Sequence, residues 1–199
     1  MNNSQPLIQV SEVIKKSDQG ITRPFICRDD SGRQLWVKGA ELSKPELAAE
    51  WISACLAKEW GLPIAPFGLV YIDPLLIEYS SMPEISSLGS GIGFGSYHVE
   101  GAVELDYPES LKIDSELRAD ILLFDYWIQN EDRTLGENGG NPNLLLHIPE
   151  GDVVIIDHNL AFDVSFAKET LFGTHVFRDF RQKWTGEYIK THQKKLLDI

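Results

Sequence analysis

Cysteine is scarce: Cys27 and Cys55 are the only two in 199 residues, each in an apolar setting. That excludes a disulfide framework or a cysteine-rich zinc site and points to a reducing, cytoplasmic setting. No apolar run approaches the roughly 20 residues of a transmembrane helix. The amino terminus, M-N-N-S-Q-P, lacks the basic region and apolar core of a signal peptide, so secretion and membrane insertion are not expected. Cations are outnumbered, 18 Lys and Arg against 30 Asp and Glu, for a formal charge of -12. A pI near 4.8 argues against non-specific binding to nucleic acid or to an anionic membrane. There is no G-x-G-x-x-G phosphate loop, no internal repeat, and no compact ligand spacing among His98, His147, His158, His175 and His192. What remains is ordinary globular composition, 43% hydrophobic and 24% charged, in a chain long enough for one domain or two small lobes.

The most informative stretch runs from Asn130 to Asp157, N-E-D-R-T-L-G-E-N-G-G-N-P-N-L-L-L-H-I-P-E-G-D-V-V-I-I-D. It joins an acid, an Asn-rich loop and a short apolar hairpin ending in a second acid. Moving a γ-phosphoryl group needs a positioned acceptor and neutralised phosphate charge rather than covalent chemistry from the protein. Asp132 is the candidate for orienting the acceptor hydroxyl. Asn143 and Asp157 supply the oxygens that a hard cation such as magnesium prefers. Residues 144–146 and 153–156 read as two strands joined by a turn at 149–151, which brings Asn143 and Asp157 to one hairpin mouth. Asn-Gly-Gly-Asn-Pro-Asn is also plain turn composition, and either acid could serve as a cap.

Along the rest of the chain, residues 7–14 read as an edge strand and residues 22–27 and 34–37 as a hairpin around Asp29 to Gly32. Residues 43–60 carry a helix signature: Ser43 as N-cap, Pro45 and Glu46 in the first turn, Gly61 at the close. Residues 67–72 and 75–79 look like strands, and the Ser- and Gly-rich residues 80–101 like the least structured stretch. Residues 115–129 form a helix striped by Leu117, Ile121, Phe124 and Ile128. A last helix over residues 174–197 carries Phe177, Phe180, Trp184 and Tyr188 as a core stripe.

The order sheet, helix, sheet, linker, helix, hairpin is that of a two-lobed kinase, and the amino-terminal half supplies the remaining parts. Lys38 ends a strand and Glu50 sits in the next helix, matching the lysine and glutamate that together orient the α and β phosphates. Each also has an ordinary surface reading. In the turn before that hairpin, Gly20, Thr22 and Arg23 offer backbone, hydroxyl and cation to phosphate, although a plain hairpin turn accounts for them as well.

Several segments resemble the HipA-like family of bacterial serine/threonine kinases, in particular its short stand-alone branch. They are G-I-T-R-P-F-I-C-R-D-D-S-G-R-Q-L-W-V-K-G at residues 20–39 and A-E-W-I-S-A-C-L-A-K-E-W-G-L-P-I at residues 49–64. G-F-G-S-Y-H-V-E-G-A, D-Y-W-I-Q-N-E-D-R-T, N-P-N-L-L-L and I-I-D-H-N-L-A-F follow at residues 93–102, 125–134, 141–146 and 155–162. The resemblance implies an α+β, two-lobed protein-kinase-like fold: a small, mostly antiparallel N-lobe sheet plus helix over residues 1–79, a linker over 80–112, and a reduced, mainly helical C-lobe over 113–199. It implies an ATP- and Mg2+-dependent kinase acting on a Ser or Thr of a protein, as the toxin-like half of a regulatory pair with a partner protein. Lys38 would hold the phosphates with Glu50 orienting it, Asp132 would be the base, and Asn143 with Asp157 would bind metal. Asn141 competes with Asn143, because residues 136–140 lengthen the loop relative to most relatives. His158 and Asn159 follow Asp157 where a glycine is usual, and Asn159 is the residue expected to take a positive φ there. A pseudokinase binding nucleotide or a partner, and a small-molecule kinase of the same fold, are the alternatives.

Overall fold

The computed structural model describes residues 6–18 and 22–197, apart from the side chains of residues 195 and 196. The chain divides into two compact units, Met1–Trp51 with Ala65–Val99, and Ile52–Ile64 with Glu100–Ile199.

The first unit is built on five strands: β1 (Ile8–Lys16), β2 (Phe25–Asp29), β3 (Gln34–Lys38), β4 (Phe67–Ile72) and β5 (Gly91–Tyr97). They close into a barrel in the order β1-β2-β3-β5-β4, where a small, mostly antiparallel sheet was expected. All pairings are antiparallel except β1 with β4, where Ile8 faces Val70 and Gln9 faces Tyr71. β1 is therefore no edge strand. Register shifts between Val10 and Glu12 and between Val13 and Lys15 break its ladder with β2. Such bulges bend and twist a strand, which is how an edge can be carried round to close. Gly95 leaves room for the barrel interior, because a Cβ there would lie 2.5 Å from Val70 Cγ1 and 2.9 Å from Leu35 Cδ1.

The barrel encloses Val10, Phe25, Cys27, Leu35, Val37, Val70 and Ile72, together with Ile85 and Leu88. The last two come from α3 (Ile85–Leu88), preceded by α2 (Pro74–Glu78). Two expectations fail here. Where residues 75–79 were expected to be extended, 75–78 are helical and Tyr79 is the C-cap, because Asp73 caps the helix by accepting from Leu75 N at 2.8 Å and Pro74 opens it. Residues 80–101 hold both α3 and the barrel strand β5, whose Gly93 and Gly95 serve close packing, a Cβ at Gly93 lying 2.6 Å from Lys38 O. Gly39 belongs to the same close fit, since a Cβ there would lie 2.1 Å from Leu88 O.

Helix α1 (Lys44–Trp60) begins as expected. Ser43 and Glu46 form a reciprocal box, with Ser43 N donating to Glu46 Oε2 at 2.7 Å and Glu46 N to Ser43 Oγ at 3.4 Å. The boundary between the units falls inside this helix, between Trp51 and Ile52.

The second unit is organised around α5 (Ser115–Trp127), capped by Asp114, which accepts from Glu116 N and Leu117 N. Strands β6 (Ala102–Glu104), β9 (Leu144–His147) and β10 (Asp152–Ile155) make a sheet in the order β10-β9-β6, and a short α4 (Tyr107–Ser110) leads into α5. Residues 136–140, expected as loop, belong to a hairpin of β7 (Thr134–Gly136) and β8 (Gly139–Asn141). The single last helix expected over residues 174–197 is corrected to two pieces, a 3-10 helix (Arg178–Lys183) and α7 (Gly186–Leu197), which follow a separate α6 (Lys168–Thr174). Thr185, whose Oγ1 accepts from Tyr188 N at 3.2 Å, restarts the helix there. Of the expected aromatic core stripe, Phe177 is buried, while Phe180, Trp184 and Tyr188 are half-buried against α5. Phe180 lies under Arg118, Trp184 donates through Nε1 to Ala119 O, and Tyr188 hydrogen-bonds Asp120. Trp60 is buried against Phe124, Trp127 and His192. No helix among the described residues is long and apolar enough to cross a membrane.

Candidate active site

In the first unit, Lys38 ends β3 and its Nζ donates to Glu50 Oε1 on α1. The two residues are 7% and 1% exposed, so this is a buried ion pair and the surface readings of both residues fall away. Glu41 lies near it; burial pushes its carboxyl up, against the opposing effect of neighbouring amides and of Lys16 and Lys38. The turn between β1 and β2 is less decisive. Gly20 lies outside the described residues. Thr22 is half-buried, and Arg23 takes a φ of 44°, donates to Ser17 O at 3.1 Å and lies 3.6 Å from Asp18 and 3.9 Å from Glu84.

In the second unit, the loop after α5 places Asp132 where two side-chain amides meet it. Asn141 Nδ2 donates to Asp132 Oδ2 at 2.8 Å and Asn143 Nδ2 donates to the same oxygen at 2.9 Å. The β7–β8 hairpin makes the first contact. Its Asn141 N donates to Thr134 Oγ1 at 3.2 Å, and Gly140, at a φ of 158°, lies so close to Thr134 that a Cβ would meet its carbonyl at 2.5 Å. Burial pushes the Asp132 carboxyl above the usual carboxylate range; the two amides oppose this and the negative charge of Asp157 adds to it.

Asn143 directly precedes β9 and Asp157 lies two residues beyond β10, at the open end of a hairpin whose last pair is Leu144 with Ile155. Beyond it Ile156 N donates to Asn143 O at 3.1 Å, holding the two residues at one mouth. Both sit in the left-handed region, Asn143 at a φ of 48° and Asp157 at 57°. The strained residue is thus Asp157 itself; Asn159 is not among the positive-φ residues, which corrects the expectation for it. Strain of this kind costs about 1–3 kcal/mol per residue and gathers at functional sites.

The donor chemistry suits magnesium. The Asn143 nitrogen is used on Asp132, which leaves its amide oxygen for a cation, and the like charges of Asp132 and Asp157 are what a divalent cation would relieve. His158 is buried with its ring edge-on to Phe124, a packing position.

A family model described as HipA-like kinase matches residues 10–196. This chain belongs to the HipA-like kinases. A search of curated proteins returns no match. Among solved structures, one similar chain is "A Helicobacter pylori proinflammatory kinase CtkA", with a TM-score of 0.51 and 14% identity over 78% of this chain. The likeness spans 60% of that protein's length and bears on the fold alone.

Sequence reasoning missed a group that underlies the site of this HipA-like kinase. Asp125, Arg133 and His175 are each fully buried and Asn130 is 1% exposed. Arg133 Nε donates to Asp125 Oδ2 at 2.7 Å, Asn130 Nδ2 donates to Oδ1 at 2.9 Å, and His175 Nε2 lies 3.0 Å from Oδ2. His175 Nδ1 accepts from Phe177 N at 3.0 Å, so Nε2 carries the proton given to Asp125. Burial opposes ionisation of Asp125, but Arg133 and His175 outweigh it and hold the carboxyl well below the usual range. Burial pushes His175 down. One signal was available: Asp125 follows Ile121 by four residues and precedes Ile128 by three, an acid on the apolar stripe of α5. Such a group stays charged only with a buried partner.

Proposed function

We propose that this HipA-like kinase transfers the γ-phosphoryl group of ATP, with Mg2+, to a Ser or Thr hydroxyl of a protein. The observation that carries the reading is the Asp132 carboxylate fixed by two amides beside Asp157. Both amides take Oδ2, which leaves Oδ1 as the oxygen to receive the acceptor's proton. Asn143 and Asp157 are the metal ligands; Asn141, carried on its own hairpin, is assigned to Asp132 instead. The buried Lys38–Glu50 pair is the phosphate-holding couple, with Glu50 fixing the lysine, and Gly20, Thr22 and Arg23 are secondary phosphate contacts. When bound, Mg2+ neutralises charge on the β and γ phosphates. The residues named here orient the acceptor, hold the nucleotide and take the proton.

On this reading the unit with Lys38 corresponds to the small lobe of a kinase and the unit with Asp132 to the large one. The chain works in the cytoplasm of a bacterium, as the toxin-like member of a pair with a regulatory protein. The test is incubation with γ-labelled ATP and Mg2+ and a proteome extract, followed by phosphosite mapping. Label on Ser or Thr of protein, lost in Asp132→Asn, supports the proposal. Label confined to metabolites moves the assignment to a small-molecule kinase, and nucleotide binding without transfer moves it to a pseudokinase.

A further inference from the structure

One side chain touches the backbone at both candidate metal ligands, and it is neither ligand nor base. Arg133 Nη1 lies 2.5 Å from Asn143 O, 3.4 Å from Pro142 O and 3.3 Å from Ile156 O. The Pro142 and Ile156 carbonyls belong to the peptides that precede Asn143 and Asp157. Rotation of those peptides sets φ at the two residues, which stand at 48° and 57° where other residues rarely sit. A guanidinium bonded to both planes opposes the return of either residue to an ordinary φ.

The rest of the buried group fixes Arg133 in turn. Asp125 receives Nε at 2.7 Å and Nη2 at 3.4 Å, while Val176 N donates to Arg133 O at 3.0 Å. Arginine is required for this geometry: its planar fork grips a carboxylate with one edge and presents donors on another, whereas lysine is a single point of charge.

We infer that Arg133 is a positioning residue that holds Asn143 and Asp157 in their left-handed, metal-ready conformations by bonding the peptides before both. The inference rests on the kinase reading, because only there are these two residues ligands. Groups behind metal ligands commonly change metal affinity by about 10- to 100-fold when altered.

The test uses the full chain and Mn2+ as probe, with affinity for Mn2+ in the presence of ADP measured by electron paramagnetic resonance in wild type and Arg133→Lys. Calorimetry with ADP in the absence of divalent metal reports the nucleotide site separately. The expected result is a folded Arg133→Lys whose Mn2+ affinity falls tenfold or more while metal-free ADP affinity stays within twofold. A folded variant that keeps Mn2+ affinity to better than tenfold overturns the inference and leaves the kinase reading standing. A wild-type chain that binds no Mn2+ with ADP takes down both. If Arg133→Lys does not fold, the wild type decides: its buried Arg133 N–H resonances should exchange slowly and shift when Mg2+ is added to the ADP-bound protein. Resonances that do not move on adding Mg2+ overturn the inference.

Discussion

Replacing Asp132 by Asn separates chemistry from architecture unusually well. Asp132 Oδ2 accepts from Asn141 Nδ2 at 2.8 Å and from Asn143 Nδ2 at 2.9 Å. An asparagine can set its amide oxygen in the same place and keep both bonds, but its other terminal atom becomes an NH2 donor that cannot take a proton. Loss of a general base costs roughly 10²–10⁴-fold in turnover, about 3–5 kcal/mol of barrier. Stability should move the other way. Burial and the charge of Asp157 both disfavour the ionised carboxylate, so a neutral isostere relieves a native-state cost at pH 7. The assays are single-turnover phosphoryl transfer and thermal unfolding on the same preparations. Turnover should fall at least a hundredfold, with nucleotide affinity unchanged and Tm unchanged or higher. Turnover within tenfold of wild type would refute Asp132 as base, and a Tm lowered by several degrees would refute the geometry ascribed to the two amides.

Three other outcomes are expected. Lys38→Met removes the cation bonded to Glu50, 1% exposed, and should cost about 3–5 kcal/mol in denaturant unfolding, while the double change Lys38→Met with Glu50→Leu restores most of it; additive losses would contradict a direct pair. His175 is held below its unfolded pKa of about 6.5, so the unfolded chain takes up the proton first as pH falls. Stability is therefore full above about pH 6.5 and declines below it, by at most ~1.4 kcal/mol per pH unit, until the native pKa is reached; His175→Asn should flatten that slope, and an unaltered slope would reject the assignment. Burial pushes the Cys27 thiol up to about 12, so it should resist alkylation by iodoacetamide at pH 8 until the barrel unfolds, and mass spectrometry showing rapid native labelling would contradict its place in the core.

The parts of the site that sequence revealed were those held by local rules. Turn residues and apolar runs gave the β9–β10 hairpin and hence the meeting of Asn143 with Asp157. Ser43, Glu46 and Gly61 gave α1 and hence the place of Glu50. What escaped depended on partners distant in the chain. Closure of the barrel rests on Ile8 and Gln9 pairing with Val70 and Tyr71, about which the alternation of β1 is silent. The β7–β8 hairpin was hidden because its glycines read equally as loop, and with it the reason why both Asn141 and Asn143 reach Asp132. Arg133 directly follows the candidate base in sequence, and only its burial against Asp125 and His175 shows what it holds. Asp157, rather than Asn159, took the left-handed conformation because the pinned peptide at Ile156 outweighs local preference.

The most direct test of a nucleotide-dependent phosphotransferase is a thermal-shift titration with ATP and Mg2+ on wild type and Asp157→Ala. A ligand at 100 times its dissociation constant adds about 2.7 kcal/mol to the folded state. For a chain of this length that amounts to about 5–11 °C in Tm. Such a rise is expected in wild type, dependent on Mg2+ and lost in Asp157→Ala. No shift at millimolar ATP and Mg2+, or an equal shift in the variant, would contradict it.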